Sequence, residues 1–588
     1  DLDKIQVIGL DGKLLDIAGE FAGKTVDEAR PDIVAKFKEL GLLVKEDPKY
    51  THTVGVSDRG KAIIEPQIME QWFIDVNKKA VKWKGHKRSL KEVMQMVIKD
   101  GDIEILPERF DKIYFNWVDN LQDWCISRQI WWGHRIPAWY TTEADGKKSV
   151  EVGWIKPGDK WKQDPDTLDT WFSSALWTWS TLIEPDIASN IKISLENLIK
   201  RSPTVKRFHP TSLLETGYDI IFYWVARMIL MTTYIVGEVP FKTVYLHGLV
   251  RLKDGKKMSK SDPKSIIDPL DMIDKYGTDA VRLSLLVGQA PGNDVRIFEE
   301  KIASYRNYCN KMWNIARYIE GKVGDDYKRH NPDAKTPADH WILSRLDQTV
   351  KQVEELIEKY EIGKAYEHIY HFIWDDFADW YIEVSKTQYN PDILVYVLEN
   401  SLKLAHPFTP FVTETIWDTL KWEDSLLISS EWPKTKAGDK KQAKTFEDIK
   451  EIVEEIRHLR SLLGMSKNTL YHRGSSFIEE NKGLLISLAG VSDVKQVESG
   501  KGLHLTKTDS EVWIDLEEQK AQDYLMKLIK EREEHQKEAK LLKSRLDSPG
   551  YSKNAPKELV EESKKKLEEK KSRLERLDKE IERFENLF

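Results

Sequence analysis

A short loop rich in lysine and serine offers the clearest chemistry in this chain. Residues 255–261 read Gly-Lys-Lys-Met-Ser-Lys-Ser. Lysine ammonium groups are compact charges on flexible stems, so they can follow a triphosphate as its charge redistributes during displacement, and serine hydroxyls add donors. Taken alone, such a run is also typical of a solvated turn. The candidate residues of a polyanion site are Lys257, Met258, Ser259, Lys260 and Ser261.

A second stretch places an acid at a turn that opens an apolar helix. Residues 216–224 read Thr-Gly-Tyr-Asp-Ile-Ile-Phe-Tyr-Trp, which puts Gly217 and Asp219 in the turn. A carboxylate there can lie beside a ligand at a sheet edge. Local pattern alone favours the alternative, in which Asp219 is a helix N-cap. The β-rich run 244–250 leads into the lysine loop, and a strand that ends in a phosphate loop fits an α/β nucleotide fold.

Tryptophan is unusually frequent, with 21 residues, and several cluster in one segment. Residues 123–137 combine Trp and Arg with Gly and Pro, which suggests the shaped wall of a cleft. His134 lies in this segment, and a lone histidine is more often structural than catalytic. A further Trp-containing run, Leu-Asp-Thr-Trp-Phe-Ser-Ser, follows at residues 168–174.

Composition bounds the class of protein. A chain of 588 residues exceeds what one hydrophobic core can organise, so we expect three to five domains. The net charge of −7 does not exclude a nucleic-acid partner, since a binding face needs only local Lys and Arg. With only two cysteines, Cys125 and Cys309, a disulfide framework is excluded and a reducing compartment is favoured. The apolar stretch 220–237 contains Arg227 and is too short to span a membrane.

The amino-terminal part of the chain predicts a small α+β region. Over residues 1–110, short apolar runs alternate with Gly turns, and Val26 to Leu40 has the pattern of an amphipathic helix. Residues 63–66 predict a strand, and we expect Phe73 in an aromatic core. The chain opens without an initiator Met, which leads us to expect that an amino-terminal portion is missing.

The carboxyl-terminal part predicts helices throughout. Apolar residues recur at helical spacing over 339–360 and 365–381, as in a bundle. Trp380 and Tyr381 fit either its core or a base-stacking platform, and a metal role for His368 and His371 is improbable without a carboxylate partner. From residue 525 the pattern is that of a coiled coil, broken near 547–556, which predicts an antiparallel hairpin.

Taken together and in this order, the 123–137, 168–174, 216–219 and 255–261 runs and the helical bundle resemble class I aminoacyl-tRNA synthetases, and among them the valine-specific branch. The resemblance extends over nearly the whole chain. It implies that residues 257–261 form a mobile loop in which Lys260 contacts ATP phosphates. It further implies that Trp171 and Trp224 wall the amino-acid pocket. For ATP and its adenylate, the resemblance implies contacts by Gly217, Asp219, His247 and Gly248.

The resemblance also implies an architecture: an α/β Rossmann-like catalytic half with part of an inserted α+β editing domain, an all-α helical bundle and a C-terminal antiparallel coiled coil. Residues 1–110 would be the end of the editing insertion, with its hydrolytic pocket upstream. The expected division is 1–110 editing insertion, 111–265 catalytic half, 266–337 stem-contact helices, 338–475 anticodon-binding domain, 476–520 small linker and 521–588 tRNA-binding arm.

Two departures from the family pattern bear on activity. None of the 14 histidines lies in an H-x-G-H motif, so we expect this chain alone to hold half an active site and to be inactive by itself. Where many relatives carry paired cysteines, this chain has Ser57, Gly60, Thr141 and Thr142, so we expect no structural zinc.

The function implied is ATP-dependent activation of valine and its transfer to tRNA-Val, with Mg²⁺ accompanying ATP. The expected partners are tRNA-Val, valine and ATP, in a cytoplasmic monomer without membrane contact. Two alternatives stay open. One is a non-catalytic tRNA-binding protein, and the other is a relative of the isoleucine enzymes, which usually end in a cysteine zinc module.

Overall fold

The chain folds into two compact units, Asp1–Val244 and Tyr245–Phe588. The structure is a computed structural model that describes residues 5–57, 60–65, 67–143, 146–190, 192–258, 266–324, 327–422, 424–465, 468–508, 510–548, 550–551 and 556–587. None of the helices in these ranges combines the length and the apolar character that crossing a membrane would require.

The first unit mixes helices with short strands. Its α-helices are Val26–Glu39, Leu90–Lys99, Arg109–Asp119, Thr170–Ser174, Trp177–Ser180, Pro185–Ala188, Leu195–Arg201, Pro203–Phe208 and Ala226–Ile235. Tighter 3-10 turns cover Asp16–Phe21 and Tyr218–Ile220, and a wider π-helical turn covers Ile221–Val225. The helix Leu90–Lys99 packs its buried face against Ala226–Ile235, which forms the centre of this unit's core.

The strands of the first unit form several small sheets. Glu104–Leu106, Thr211–Gly217 and Phe241–His247 form a three-stranded sheet with the last strand in the middle. Ala138–Thr142 lies between Lys148–Val152 and Lys162–Gln163 in a second one. The two-stranded pairs are Phe73–Ile74 with Trp124–Cys125, Val81–Trp83 with His86–Arg88, and Ser127–Arg128 with Thr167–Leu168.

Local sequence signals explain where the main helices begin. Thr25 with Glu28, Ser89 with Glu92, and Thr336 with Asp339 each form a reciprocal capping box, in which two backbone N–H groups at the helix start find acceptors. The helix predicted over Val26 to Leu40 is confirmed, because it starts at the first of these boxes.

Two expectations for the first unit are wrong. Residues 63–65 form no strand, and Ile63 makes only a single bridge to Val56. Phe73 is not in an aromatic core, because its side chain is 57 % exposed. It lies on a two-residue strand at the surface, where successive side chains point to opposite faces and only the neighbouring position turns inward.

The second unit is mainly helical. Its α-helices are Pro269–Tyr276, Thr278–Leu286, Glu299–Val323, Pro337–Glu358, Ile362–His371, Ile382–Ser385, Pro391–Ala405, Pro410–Leu420, Lys440–Leu463, Ser476–Glu480, Lys482–Ala489, Glu518–Asp547 and Lys557–Glu585. A π-helical stretch covers Phe372–Tyr381 and a 3-10 turn covers Leu427–Ser429. Trp380 and Tyr381 are both buried, so they belong to the core and not to an exposed stacking platform.

Strands interrupt the helical pattern that the sequence suggested after residue 263. Val250–Arg251 pairs in parallel with Val295–Arg296. Farther along, Asp493–Gln496, Thr469–His472, Val512–Ile514 and Leu503–His504 form a four-stranded sheet in that order. Residues 476–520, expected as a small linker, therefore contribute two helices and three strands to a folded subdomain. Its strands are only two to four residues long, too short for a clear alternating pattern in the sequence.

A continuous hydrophobic core runs through the second unit. It includes residues from the bundle, such as Trp341 and Phe377, from the small sheet, such as Leu470, and from the two last helices, such as Leu528 and Phe584. The last two helices lie antiparallel, because Glu531 contacts Arg573 while Glu538 contacts Lys570. We call Glu518–Asp547 with Lys557–Glu585 the C-terminal hairpin.

Candidate functional site

The two tryptophans predicted to wall one pocket lie on neighbouring elements of the first unit. Trp171 is in the short helix Thr170–Ser174, and its ring stacks on Tyr223 with centroids 5.6 Å apart. Trp224 follows Tyr223 in the π-helical turn, and its Nε1 donates to the Ser174 carbonyl at 3.0 Å. Both indoles are half-buried. The structure thus brings both elements together around a partly open aromatic surface.

A buried carboxylate fixes the helix that carries Trp171. Asp169 precedes this helix and is only 8 % exposed. Its carboxylate accepts a hydrogen bond from Trp124 Nε1 at 3.0 Å and an ion pair from Arg128 Nη2 at 3.0 Å. Rings and charges held in this way have little freedom to rotate, so the pocket wall is preorganised.

Arg227 ties the helix after Trp224 to the same cluster. Its guanidinium lies 4.1 Å from the centroid of the Trp124 ring and 5.1 Å from that of Trp117. Burial lowers the pKa of Arg227 to about 10, while Asp169 acts in the opposite direction and Arg128 adds to the lowering. At neutral pH Arg227 stays charged, and cation–π contact compensates part of its lost hydration.

Gly217 and Asp219 occupy the predicted turn. Gly217 is buried at the end of the strand Thr211–Gly217, and Asp219 is exposed in the 3-10 turn that follows. The N-cap position of this turn belongs to Gly217, and no side chain caps it. The N-cap interpretation of Asp219 is therefore wrong, and its carboxylate faces solvent at a sheet edge, where it can meet a ligand.

His247 and Gly248 lie in the second unit, at the end of Phe241–His247. His247 Nδ1 is 2.7 Å from the Gly248 carbonyl oxygen. A Cβ atom on Gly248 would lie 1.8 Å from the carbonyl oxygen of Asn293 and 2.5 Å from the backbone nitrogen of Asp294. Only glycine fits here, because another backbone passes directly over it. The local sequence around Gly248 does not predict that residues 293–294 pack against it.

Asp294 locks this crossing into place. Its carboxylate accepts from the Leu249 N–H at 2.8 Å and from Arg251 Nε at 2.7 Å. The Gly292 N–H donates to the Leu246 carbonyl at 2.7 Å. Residues 246–251, which lead into the lysine loop, are therefore hydrogen-bonded to residues 292–294, which cross over them. Sequence reasoning missed this contact because the two segments are more than 40 residues apart.

The lysine loop begins from this base. Arg251 and Lys257 form a bridge across its start, and Lys256 pairs with Asp254 at 2.9 Å. Lys257 is exposed, whereas Met258 packs on a small cluster formed by Ala280, Val281, Ile297 and Ile302. Ser259, Lys260 and Ser261, which were predicted to complete the polyanion site, lie outside the described residues.

The predicted cleft wall in residues 123–137 is right for one end only. Trp124, Cys125 and Arg128 line a cavity of 710 Å³ together with Trp117 and Phe222. Trp131 and Trp132, by contrast, are 96 % and 86 % exposed, and His134 is also exposed. A larger cavity of 920 Å³ opens over the sheet that contains Ala138–Thr142, and no sequence motif indicated it.

Within the described ranges, no group of three or more His, Cys, Asp or Glu side chains is arranged to hold a metal ion. Thr141 and Thr142 pair with Ser149 and Lys148 in the sheet. Ser57 Oγ accepts a hydrogen bond from the Gly60 N–H at 3.3 Å. His371 does have a carboxylate neighbour, Asp375, at 2.7 Å one helical turn away, which sequence reasoning did not find.

Comparison with known proteins identifies two families. A family described as tRNA synthetases class I (I, L, M and V) matches residues 22–154 and 146–298. The anticodon-binding domain of tRNA ligase matches residues 339–473. The two matches cover the pocket elements, the start of the lysine loop and the helical bundle.

Two relatives, both valine–tRNA ligases, agree with these matches. A valine–tRNA ligase of Bacillus subtilis is 36 % identical over 96 % of this chain and 64 % of its own length. A valine–tRNA ligase of Clostridium tetani is 42 % identical over 79 % of this chain and 51 % of its own. The chain thus spans about half to two thirds of the length of these relatives. A solved methionyl-tRNA synthetase of Mycobacterium tuberculosis aligns at 18 % identity and a TM-score of 0.48 over 63 % of this chain and 67 % of its own.

Proposed function

Because this chain belongs to the class I tRNA synthetase family, we propose that it serves valine–tRNA ligase activity, the ATP-dependent activation of valine and its transfer to tRNA-Val. The observation that carries the proposal is the 36 % identity to a valine–tRNA ligase along 96 % of the chain. The geometry adds a rigid indole surface for a small apolar side chain and a lysine loop anchored at the end of a strand.

Each site residue has a role in this proposal. Trp171 and Trp224 contact the valine side chain. Asp219 and Gly217 contact the adenylate, while His247 and Gly248 approach the nucleotide base. Lys257, Met258, Ser259, Lys260 and Ser261 form the loop at the ATP triphosphate. The lysines, chiefly Lys260, neutralise charge on the leaving pyrophosphate, and Mg²⁺ bound with ATP would do the same, so no side chain acts as a covalent nucleophile.

The two indoles select by shape. Trp224 is held by its hydrogen bond to the Ser174 carbonyl, and Trp171 is held by stacking on Tyr223. A wall of this kind rejects a larger aliphatic side chain because neither ring can move aside without losing its contact. Rejection by one methylene amounts to about 1–3 kcal/mol. Residues 1–110 then fit the end of an inserted editing domain, which removes wrongly attached amino acids that shape alone admits.

The remaining regions follow the order of the family. We place the catalytic half at 111–265, the stem-contact helices at 266–337, the anticodon-binding domain at 338–475 and the tRNA arm at 521–588, with the folded 476–520 region between them. The arm is an antiparallel coiled coil laid along tRNA. Apolar side chains of the arm pack within the hairpin and against the small sheet, which supports a monomer. The proposal also includes a cytoplasmic location and no bound zinc.

Selective tRNA binding tests the proposal. The purified chain should bind a tRNA transcript with a valine anticodon more tightly than one with an isoleucine anticodon, measured by filter binding at fixed salt, since salt strongly affects such affinities. Equal affinity for both would favour a non-selective tRNA-binding protein. Preference for the isoleucine transcript would favour the isoleucine branch, and absence of tRNA binding would overturn the proposal.

A further inference from the structure

The 710 Å³ cavity of the first unit is separate from the proposed valine pocket. Its lining includes Trp117, Trp124 and Phe222, all of them buried or half-buried. Neither Trp171 nor Trp224 contributes to the lining, so the proposed contacts with valine leave this cavity unused. Ligand pockets commonly measure about 300–1,000 Å³ and combine apolar walls with a few polar groups. The cavity is therefore large enough for a small organic molecule.

Arg227 brings a charge without a hydrogen-bond acceptor to this cavity. It belongs to the lining, and its Nη1 atom is buried and has no acceptor among the residues that the structure describes. Its guanidinium contacts two ring faces, at 4.1 Å from the Trp124 centroid and 5.1 Å from the Trp117 centroid. Ring faces attract the charge but leave the N–H groups unpaired. Since buried donors are nearly always paired in folded proteins, the arrangement calls for an acceptor that these residues do not supply.

The nearby carboxylates do not balance this guanidinium. Burial lowers the pKa of Arg227, and the charges that act on it besides are those of Asp169 and Arg128. Asp169 already receives Trp124 Nε1 and Arg128 Nη2, each at 3.0 Å. Asp123 also lines the cavity but is not among the groups that shift the pKa of Arg227. One carboxylate is thus shared by two guanidinium groups, which leaves one positive charge unmatched.

A singly charged anion with an apolar body matches the lining. A carboxylate forms a charge-assisted hydrogen bond with a guanidinium, about twice as strong as a bond between neutral groups, and it fits the planar fork of Arg227. Water is neutral and would leave the charge unbalanced. Asp123 disfavours a ligand with several negative charges because it adds a like charge to the lining. The apolar body gains by leaving water for the surfaces of Trp117, Leu121 and Phe222.

We propose that this cavity binds a small monocarboxylate whose carboxylate pairs with Arg227 and whose apolar body lies against the aromatic wall. The carboxylate supplies the acceptor that Nη1 lacks, and the rings hold the guanidinium in place before the ligand arrives, which lowers the entropic cost of binding. The proposal involves neither valine activation nor tRNA, so its failure would leave the proposed function unaffected.

Cys125 provides a local reporter for the test, because it lines the same cavity. The only other cysteine, Cys309, belongs to the second unit, and burial raises the pKa of its thiol to about 12, which suppresses its reactivity at neutral pH. The purified chain is alkylated with iodoacetamide, and modification of Cys125 is followed by peptide mass spectrometry. Benzoate is the probe. Benzyl alcohol has the ring without the charge, acetate has the charge without the ring, and inorganic phosphate has a higher charge.

Benzoate should slow the alkylation of Cys125 with saturation, and the other three compounds should require concentrations higher by about tenfold or more. Arg227→Met should raise the benzoate concentration for half-protection about tenfold to a hundredfold, because a hydrogen bond between charged groups is lost. Arg227→Lys keeps the charge without the planar fork and should give an intermediate value. Arg207→Met is the matched control. Its guanidinium is exposed and lies 5.4 Å from the Phe208 ring in the same unit, so this variant should behave as the parent.

Four results would overturn the proposal. Benzoate does not protect Cys125 in the parent, or it protects the parent and both Arg227 variants equally. Benzyl alcohol protects as well as benzoate, which would show that the ring alone binds, or phosphate does so, which would show that any anion suffices. Hydrogen exchange in the core helix Leu90–Lys99 verifies that each variant is folded, and the comparison of the four compounds on the parent stands even where a variant is not.

Discussion

The root of the C-terminal hairpin depends on one buried ion pair. Glu455, in the helix Lys440–Leu463, is 2 % exposed, and its carboxylate receives Arg583 Nη2 at 2.5 Å. It also accepts from the backbone N–H groups of Thr506 and Lys507 at 2.8–3.0 Å. Arg583 in turn donates to the His504 carbonyl through Nε and Nη2. Three separate chain segments meet at this pair: the helix Lys440–Leu463, residues 504–507 and the helix Lys557–Glu585.

Replacing Arg583 with Met should therefore loosen the hairpin. The change leaves a buried carboxylate without its cation, which typically costs about 3–5 kcal/mol. Glu455 keeps its backbone donors, so we expect the lower end, about 3 kcal/mol. At about 1.36 kcal/mol per factor of ten, local opening should increase by about two orders of magnitude.

Hydrogen exchange followed by mass spectrometry measures the local opening of each segment. A single melting temperature would average over the several folded regions of this protein. Exchange should accelerate in residues 557–587 and 503–508 while the helix Pro337–Glu358 is unchanged. Glu455→Gln combined with Arg583→Met should recover part of the loss, because the uncompensated charge is then absent.

Arg573→Met provides the matched control. Arg573 pairs with Glu531 at 2.6 Å in the same hairpin, but the two side chains are 48 % and 33 % exposed. Exposed pairs contribute at most about 1 kcal/mol, so exchange should change less than about tenfold. If Arg583→Met and Arg573→Met accelerate exchange equally, burial does not set the strength of the Glu455 pair, and the reasoning fails.

Three further changes have clear expected results. Gly248→Ala should displace the crossing at Asn293 and lower the unfolding midpoint of the second unit in urea, because the new Cβ overlaps a backbone carbonyl; an unchanged midpoint would contradict the packing. Burial raises the pKa of Asp279, despite N–H donors from Phe411 and Val412 and the opposing charges of Arg282 and His406. Its folded form therefore holds its proton to higher pH, so stability should fall as pH rises from about 4 through the raised pKa, and Asp279→Asn should flatten that profile in urea titrations. Deleting residues 523–588 should weaken tRNA binding and flatten its salt slope, measured by filter binding; a split dimer with unchanged tRNA affinity would instead make the hairpin an oligomerisation element.

Long helices and their starts could be predicted because their signals are local. The apolar spacing over 339–360 predicts the helix Pro337–Glu358 to within two residues at each end, and the capping box at Thr336 explains its first residue. Burial of Trp380 could not be predicted in the same way. The stretch Phe372–Tyr381 that carries it is π-helical and contains five aromatic residues, so regular α-helical spacing does not reveal which ring faces neighbours and which faces water.

Contacts between distant segments set the limit of sequence reasoning. Gly248 packs under Asn293, which is 45 residues away in the chain. Glu455 pairs with Arg583, which is 128 residues away. The lysine-loop motif identifies a chemistry, but the crossing that fixes its base has no motif of its own. The same holds for the sheet cavity, whose lining combines residues 69–72 with residues 140–166.

Within the second unit, one short helix links the start of the lysine loop to the helical bundle. Thr278–Leu286 offers Ala280 and Val281 to the cluster on which Met258 packs, and its next turn buries Leu283 in the core of the bundle. Asp279 of the same helix accepts the Val412 N–H at the start of Pro410–Leu420. Close-packed contacts of this kind transmit displacement rather than absorb it. A shift of the bundle would therefore also move the surface on which Met258 packs.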